Sequence, residues 1–170
     1  MNIVSCRLVK PVYKRQQFLF SFLKELNEPL TATDIQKLLF LYLTKNNLSH
    51  YEFVPYLYGG FSTQAREDIN TLQVMGWLAD TNGKIQYTRG NGLAGISLHF
   101  EMIGKSISEQ LPKVRGNRLI KLVYEQYPYY TINSRTVASI MDPEGIVKLK
   151  AVKKQLKQTE RMFLLLDMKE

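Results

Sequence analysis

Residues Tyr51 to Ser62 read YEFVPYLYGGFS, and the way this stretch folds decides the architecture on either side of it. Its β-branched and aromatic residues favour an extended backbone. Pro55 has no amide hydrogen to give a sheet ladder, which restricts a strand here to an edge or an end. Gly59 and Gly60 open backbone angles closed to other residues, so the chain can turn sharply. Ser62 then offers a hydroxyl to the free amides of a following helix. Phe61, just before it, can pack back as a staple onto Ala65 or the stem of Arg66. The stretch is predicted to be a strand that runs into a strand-to-helix corner.

Helical patterns flank that corner. Upstream, Val12 to Leu26 sets Leu19, Phe22, Leu23 and Leu26 on one stripe, and Asn27-Glu28-Pro29 ends it. Thr31 to Asn46 opens with Thr31 or Thr33 as an N-cap and Asp34 near the positive end of the helix. The run LLFLYL from Leu38 to Leu43 leaves little polar face, so this helix belongs in the middle of a core. Downstream, Ser62 to Gly76 buries Ala65, Ile69, Leu72 and Met75 and turns Gln64, Glu67, Asn70, Thr71 and Gln73 outward. Then WLADTNGKIQYT signals a hairpin, because Asn82-Gly83 suits a tight primed turn.

Helix, helix, corner, helix, hairpin is the order of a winged helix. Arg89 to Phe100 is glycine-rich and predicted to be a loop, after which helical patterns resume. Leu119, Ile120, Val123, Tyr124 and Tyr127 form one stripe, ended by Pro128, and Ser134 is a candidate cap. Glu144 to Gln158 carries Ile146, Leu149, Val152 and Leu156 on one face, with Lys150, Lys153, Lys154 and Lys157 on an adjoining face. The expected class is α+β, predominantly helical. A winged-helix-like core with a β-hairpin wing occupies residues 1–100, and a helical extension over 101–170 packs on it and ends in RMFLLLD, read as a short sheet strand or as the stump of a lost second domain.

Composition limits the chemistry. The longest apolar runs fall far below the ~20 residues a bilayer span needs, and the first fifteen residues lack a secretory signal pattern. The single cysteine, Cys6, cannot form an internal disulfide, which points to a reducing cytoplasm. His50 and His99 have no metal-ligand spacing and no evident nucleophile partner. YGGFS lacks the lysine of a phosphate-binding loop. The chain is therefore expected to be non-enzymatic, with no cofactor, no metal and no membrane association.

The net charge is +8, and the excess sits on the flanks: residues 1–15 hold four basic groups and no acid, whereas residues 16–112 are slightly acidic. A polyanion would meet the flanks first. Lys14, Arg15, Arg115, Arg118, Lys150, Lys153, Lys154 and Lys157 are the expected phosphate contacts, and Gln64, Arg66 and Asn70 the groove-facing residues of the third helix. A second reading rests on tyrosine, which offers a large stiff contact area with one polar end. It predicts a protein partner on Tyr56, Tyr58 and Phe61.

Ile35 to Tyr42, IQKLLFLY, followed by YEFVPYLYGGFSTQAREDINTLQVMGWL, resembles the antitoxin-type domain of SocA-like proteins and the wider Panacea group. Those domains pair a QKLLF-type helix with a tyrosine-glycine turn and a following helix. The chain is also similar to bacterial proteins that place such a winged-helix-like region before a second small domain of unknown activity. There YPYY-INS follows the helical region, and here Tyr127 to Ser134 read YPYYTINS. The likeness covers Thr33 to Ser134; the second domain would begin near RMFLLLD, and Gly59-Gly60 replaces the usual glycine-proline. The resemblance implies a toxin or effector encoded nearby, in a defence or toxin-antitoxin setting. Two functions stand side by side: a module binding nucleic acid through its basic flanks, and an antitoxin or structural subunit acting by protein contact alone.

Overall fold

The computed structural model describes residues 13–88 and 107–167. Two helices make its centre. Helix α1 (Lys14–Leu26) buries Phe18, Leu19, Phe20, Phe22 and Leu23, and α2 (Ala32–Lys45) is buried without a break from Asp34 to Leu43. Thr31 is the N-cap of α2: its Oγ1 accepts the Asp34 amide at 3.1 Å. The Asp34 carboxylate in turn accepts the Thr31 hydroxyl at 2.7 Å and the Gly116 amide at 2.7 Å. One carboxylate thus ties the first turn of α2 to a segment 82 residues further along the chain and satisfies a backbone amide there.

YEFVPYLYGGFS departs from the prediction. It forms a complete hairpin in which β1 (Val54–Tyr56) pairs antiparallel with β2 (Gly59–Phe61), Pro55 opposite Gly60 and Tyr56 opposite Gly59. The glycines are a strand as well as a bend, and the reason is close approach. A Cβ on Gly60 would lie 3.2 Å from the Phe40 ring and 3.3 Å from the Tyr130 ring. One on Gly59, where φ is +92°, would lie 2.9 Å from the Tyr124 ring. Bare backbone lets β2 lie flat on these rings. Phe61 packs across the hairpin on Tyr56, with ring centroids 5.0 Å apart.

Ser62 caps α3 (Thr63–Val74) by accepting the Ala65 amide at 3.2 Å. Ala65, Asp68, Ile69 and Leu72 are buried, while Met75, expected inside, is half-buried. The second hairpin follows as expected: β3 (Leu78–Thr81) and β4 (Lys84–Tyr87), joined through Asn82 and Gly83 at φ +55° and +75°, the signature of a primed turn. Leu30, just ahead of α2, exchanges backbone hydrogen bonds with Ile85 at 2.9 and 2.7 Å. That bridge anchors the hairpin to the α1–α2 connection.

The C-terminal half adds α4 (Ile107–Gln110), α5 (Asn117–Gln126), a 3-10 turn at Pro128–Thr131, α6 (Val137–Ile140) and α7 (Pro143–Asp167). Leu119 and Val123 of α5 join the main core, while Ile120, Tyr124, Met141 and Leu149 form a smaller cluster beneath α7. Arg161 to Asp167 continue α7, which corrects the expected terminal strand: the segment is helix. His50, expected in a surface loop, stacks on Phe18 with ring centroids 4.4 Å apart, and burial holds its imidazole below the usual pKa. The predicted loop from Arg89 to Phe100, with His99, lies outside the described residues, as do Cys6 and the basic residues before Tyr13. The described residues are α+β and mostly helical, with two small antiparallel hairpins. No helix among them is long and apolar enough to cross a membrane.

Gly59→Ala places a side chain against a buried ring at a left-handed φ, so a loss of about 2–4 kcal/mol is expected. Gly83→Ala, also at positive φ but with nothing within 4 Å, should lose only the backbone term, about 1 kcal/mol. Urea midpoints of the two variants measure the difference.

Candidate binding surface

The β1–β2 hairpin is gripped along both edges by side chains. From α2, Gln36 Oε1 accepts the Ser62 amide at 3.0 Å and Nε2 donates to the Ser62 carbonyl at 3.0 Å. Lys37 Nζ donates to the Gly60 carbonyl at 2.7 Å. Along β1, Asn133 Nδ2 donates to the Pro55 carbonyl at 3.0 Å. The Leu57 carbonyl accepts the Ser134 hydroxyl and the Arg135 amide, each at 3.1 Å. The Tyr124 hydroxyl bonds Ser134 Oγ at 2.6 Å and Thr136 Oγ1 at 2.9 Å, which fixes that second clamp.

With its edges taken, the hairpin presents a face. Side chains alternate along a strand and pair across it, so Val54, Tyr56 and Phe61 share the outward side while Pro55 and Gly60 lie inward. Val54 and Tyr56 are 53% and 47% exposed, and Tyr58 on the turn is 48% exposed. Tyr129, in the 3-10 turn that packs beside β1, is 46% exposed. No charged residue occurs from Phe53 to Ala65, and Arg135 is the only one from Gln126 to Met141.

Lys37 is 2% exposed. Burial lowers its pKa to about 8, and no carboxylate among the described residues pairs with it. Sequence reasoning passes over Gln36 and Lys37 because the apolar run behind them marks α2 as a core helix. The available signal is the pair of long polar side chains at positions such a helix should keep apolar.

The basic residues divide into two groups. Arg15, expected on phosphate, is committed to the buried carboxylate of Asp68: its Nε lies 2.7 Å away, and Gln16 Nε2 at 2.7 Å and the Tyr51 hydroxyl at 3.0 Å share the same acceptor. Asp68 therefore raises the Arg15 pKa through that hydrogen bond, and burial followed by Asp68 raises that of Tyr51. The cluster fastens α1 to α3. Arg115 is likewise taken, by Glu28 and by the carbonyls of Pro112 and Val114 at 2.6 and 2.7 Å. Both arginines leave the set of available cations because folding pairs them.

Lys14, Arg118, Lys150, Lys154 and Lys157 are exposed. Lys153 is half-buried and reaches the Ile132 carbonyl at 3.4 Å, which brings α7 beside the clamp. On α3, Gln64, Arg66 and Asn70 are exposed as expected, but Glu67 stands among them, so that face is neutral. Arg135, not singled out by the sequence, sits next to the tyrosine turn. A cleft of about 350 Å³ between α5 and α7 has its charges already paired, Lys121 with Asp142 and Lys148 with Glu144, each at 2.8 Å. No metal-ligand cluster occurs among the described residues. Comparison with protein-family models, with curated proteins and with solved structures finds no match to this chain.

Lys37 gives a pH signature. Its folded pKa lies below its unfolded value, so between the two the unfolded chain binds more protons, and stability rises with pH. A gain of up to about 3 kcal/mol is expected from about pH 7 to about pH 10. Above that, deprotonation of unfolded Tyr51 works against folding. Lys37→Met should flatten the rise, as read from urea unfolding across that range.

Proposed function

We propose that this chain is a non-enzymatic binding module of winged-helix-like architecture that takes a protein partner on the face of the β1–β2 hairpin. One observation carries the reading: Val54, Tyr56, Tyr58 and Tyr129 stand about half exposed on a hairpin whose two edges are both clamped. Large aromatic side chains already held in place lose little conformational freedom on binding, which is the property of interface anchors. The chain order of α1, Leu30, α2, α3 and the β3–β4 hairpin, with Leu30 bridged to Ile85, supports the winged-helix reading.

The resemblance to SocA-like and Panacea domains supports an antitoxin-type role. Its two hallmark motifs are the groups that meet here, Gln36-Lys37 on the backbone of Gly60 to Ser62. The partner in this reading is a toxin or effector encoded nearby in a defence or toxin-antitoxin system, and the single cysteine suits a reducing cytoplasm. Nucleic acid is the second reading, favoured by the exposed Lys150, Lys154 and Lys157 on α7. The neutral outer face of α3 speaks against groove insertion.

Replacing Tyr56 and Tyr58 together with alanine should reduce recovery of a co-purifying protein about tenfold or more, with the circular dichroism spectrum and urea midpoint unchanged. Undiminished recovery would remove the hairpin face from the interface. Mass spectrometry of the native complex, analysed for protein and nucleic acid together, tests the second reading. Nucleic acid that co-purifies, with affinity falling steeply as salt rises and the slope flattened by Lys150→Ala, Lys154→Ala and Lys157→Ala, would establish it.

A further inference from the structure

We propose that the hairpin face recognises an acidic protein segment, with Tyr56 and Tyr58 as apolar anchors and Arg135 and Lys153 as the cations that meet its carboxylates. This rests on the reading of the hairpin as a protein-binding face and assigns the chemistry of the partner.

The closed edges decide the binding mode. A strand added to a sheet needs a free row of backbone amides and carbonyls. Here the Gly60 carbonyl of β2 is taken by Lys37 and the adjoining Ser62 backbone by Gln36, while the Pro55 carbonyl of β1 is taken by Asn133 and the adjoining Leu57 carbonyl by the Ser134 hydroxyl and the Arg135 amide. Recognition therefore passes through side chains on the face.

Charge decides the chemistry. The two segments that form the knuckle, Phe53 to Ala65 and Gln126 to Met141, contain no carboxylate, and the flanking acids Glu52 and Glu125 precede them, away in sequence from the turn that carries Tyr58. Arg135 is exposed, and its amide lies 3.1 Å from the Leu57 carbonyl, next to the turn that carries Tyr58. Lys153 donates to the Ile132 carbonyl at 3.4 Å, in the segment that leads into the Asn133–Ser134 clamp. Neither has an ion-pair partner among the described residues. The nearest acids of α7 and its approach are occupied, Asp142 by Lys121 and Glu144 by Lys148. An apolar surface with an uncompensated positive rim is complementary to apolar anchors flanked by carboxylates.

The same surface is less well made for single-stranded nucleic acid. Successive bases need successive open ring faces; the Tyr56 ring lies against Phe61 at 5.0 Å and the Tyr129 ring meets Tyr130 at 5.4 Å, which leaves Tyr58 as the one of the three with no ring contact among the described residues.

The test places a photo-crosslinker on the face, by replacing Tyr58 with p-benzoylphenylalanine in the full chain and irradiating cells of the native host. The expected adduct is a protein, joined through a peptide rich in aspartate and glutamate. Arg135→Glu combined with Lys153→Glu should cut its yield about tenfold or more, with Arg135→Lys and Lys153→Arg restoring it. If charge reversal unfolds the chain, Arg135→Gln with Lys153→Gln serves instead, with the same loss expected. An adduct on nucleic acid, an adduct on a neutral or basic peptide, no adduct, or indifference to the charge variants would overturn the proposal. Loss of the partner from Tyr56→Ala/Tyr58→Ala, together with indifference to the charge variants, would overturn it while leaving the protein-binding face intact.

Discussion

The amide of Gln36 holds both the N–H and the carbonyl of Ser62, and one residue further along α2 the ammonium of Lys37 holds the carbonyl of Gly60. These three bonds satisfy a strand edge that the core has removed from water, where an unmade hydrogen bond costs about 1–3 kcal/mol. Ser62 is at the same time the N-cap of α3, so the clamp on the hairpin also fixes where that helix begins. From that starting point Asp68 falls, six residues on, against Arg15, Gln16 and Tyr51 of the surrounding elements. Position passes from α2 to β2, from β2 to α3, and from α3 back to α1.

A lysine in this place breaks a local rule. An ammonium buried with a single carbonyl acceptor destabilises the fold relative to a neutral group, and its lowered pKa expresses that penalty. Sequences break such rules where a gain elsewhere compensates. The gain available here is a side-chain hold on a hairpin of three-residue strands, since two short strands alone are at best marginally stable in water. Tyr124 completes the arrangement: its ring lies under Gly59, and its hydroxyl holds the Ser134 and Thr136 side chains that close the other edge.

Those features that depend on neighbours in sequence were legible from it. Thr31, Ser62 and Asn82-Gly83 act through groups two or three residues away, and the structure uses each as expected. The β1–β2 hairpin was not legible as a pair, because its edge partners lie 23 residues before it on α2 and 78 residues after it on the Asn133 segment. Arg15 and Arg115 read as free cations for the same reason: their carboxylates stand 53 and 87 residues away in the chain. Of the candidate surface, the tyrosines were visible as composition and Arg135 was not, since only folding brings it to the Tyr58 turn.

The pairing of those two arginines changes what a net charge of +8 means for this chain. Charge locked into Asp68 and Glu28 contributes little field beyond its own pair, whereas Lys150, Lys154 and Lys157 on α7 and Arg135 beside the tyrosines form no ion pair among the described residues. In the proposed complex, long-range attraction by these cations would add to apolar contact at the tyrosines. Electrostatics of this kind mainly speeds encounter and excludes like-charged competitors, while buried aromatic area sets how long a complex lasts. An aromatic knuckle with cations beside it would combine both, because α2 holds the knuckle by its backbone and leaves Tyr56 and Tyr58 half exposed.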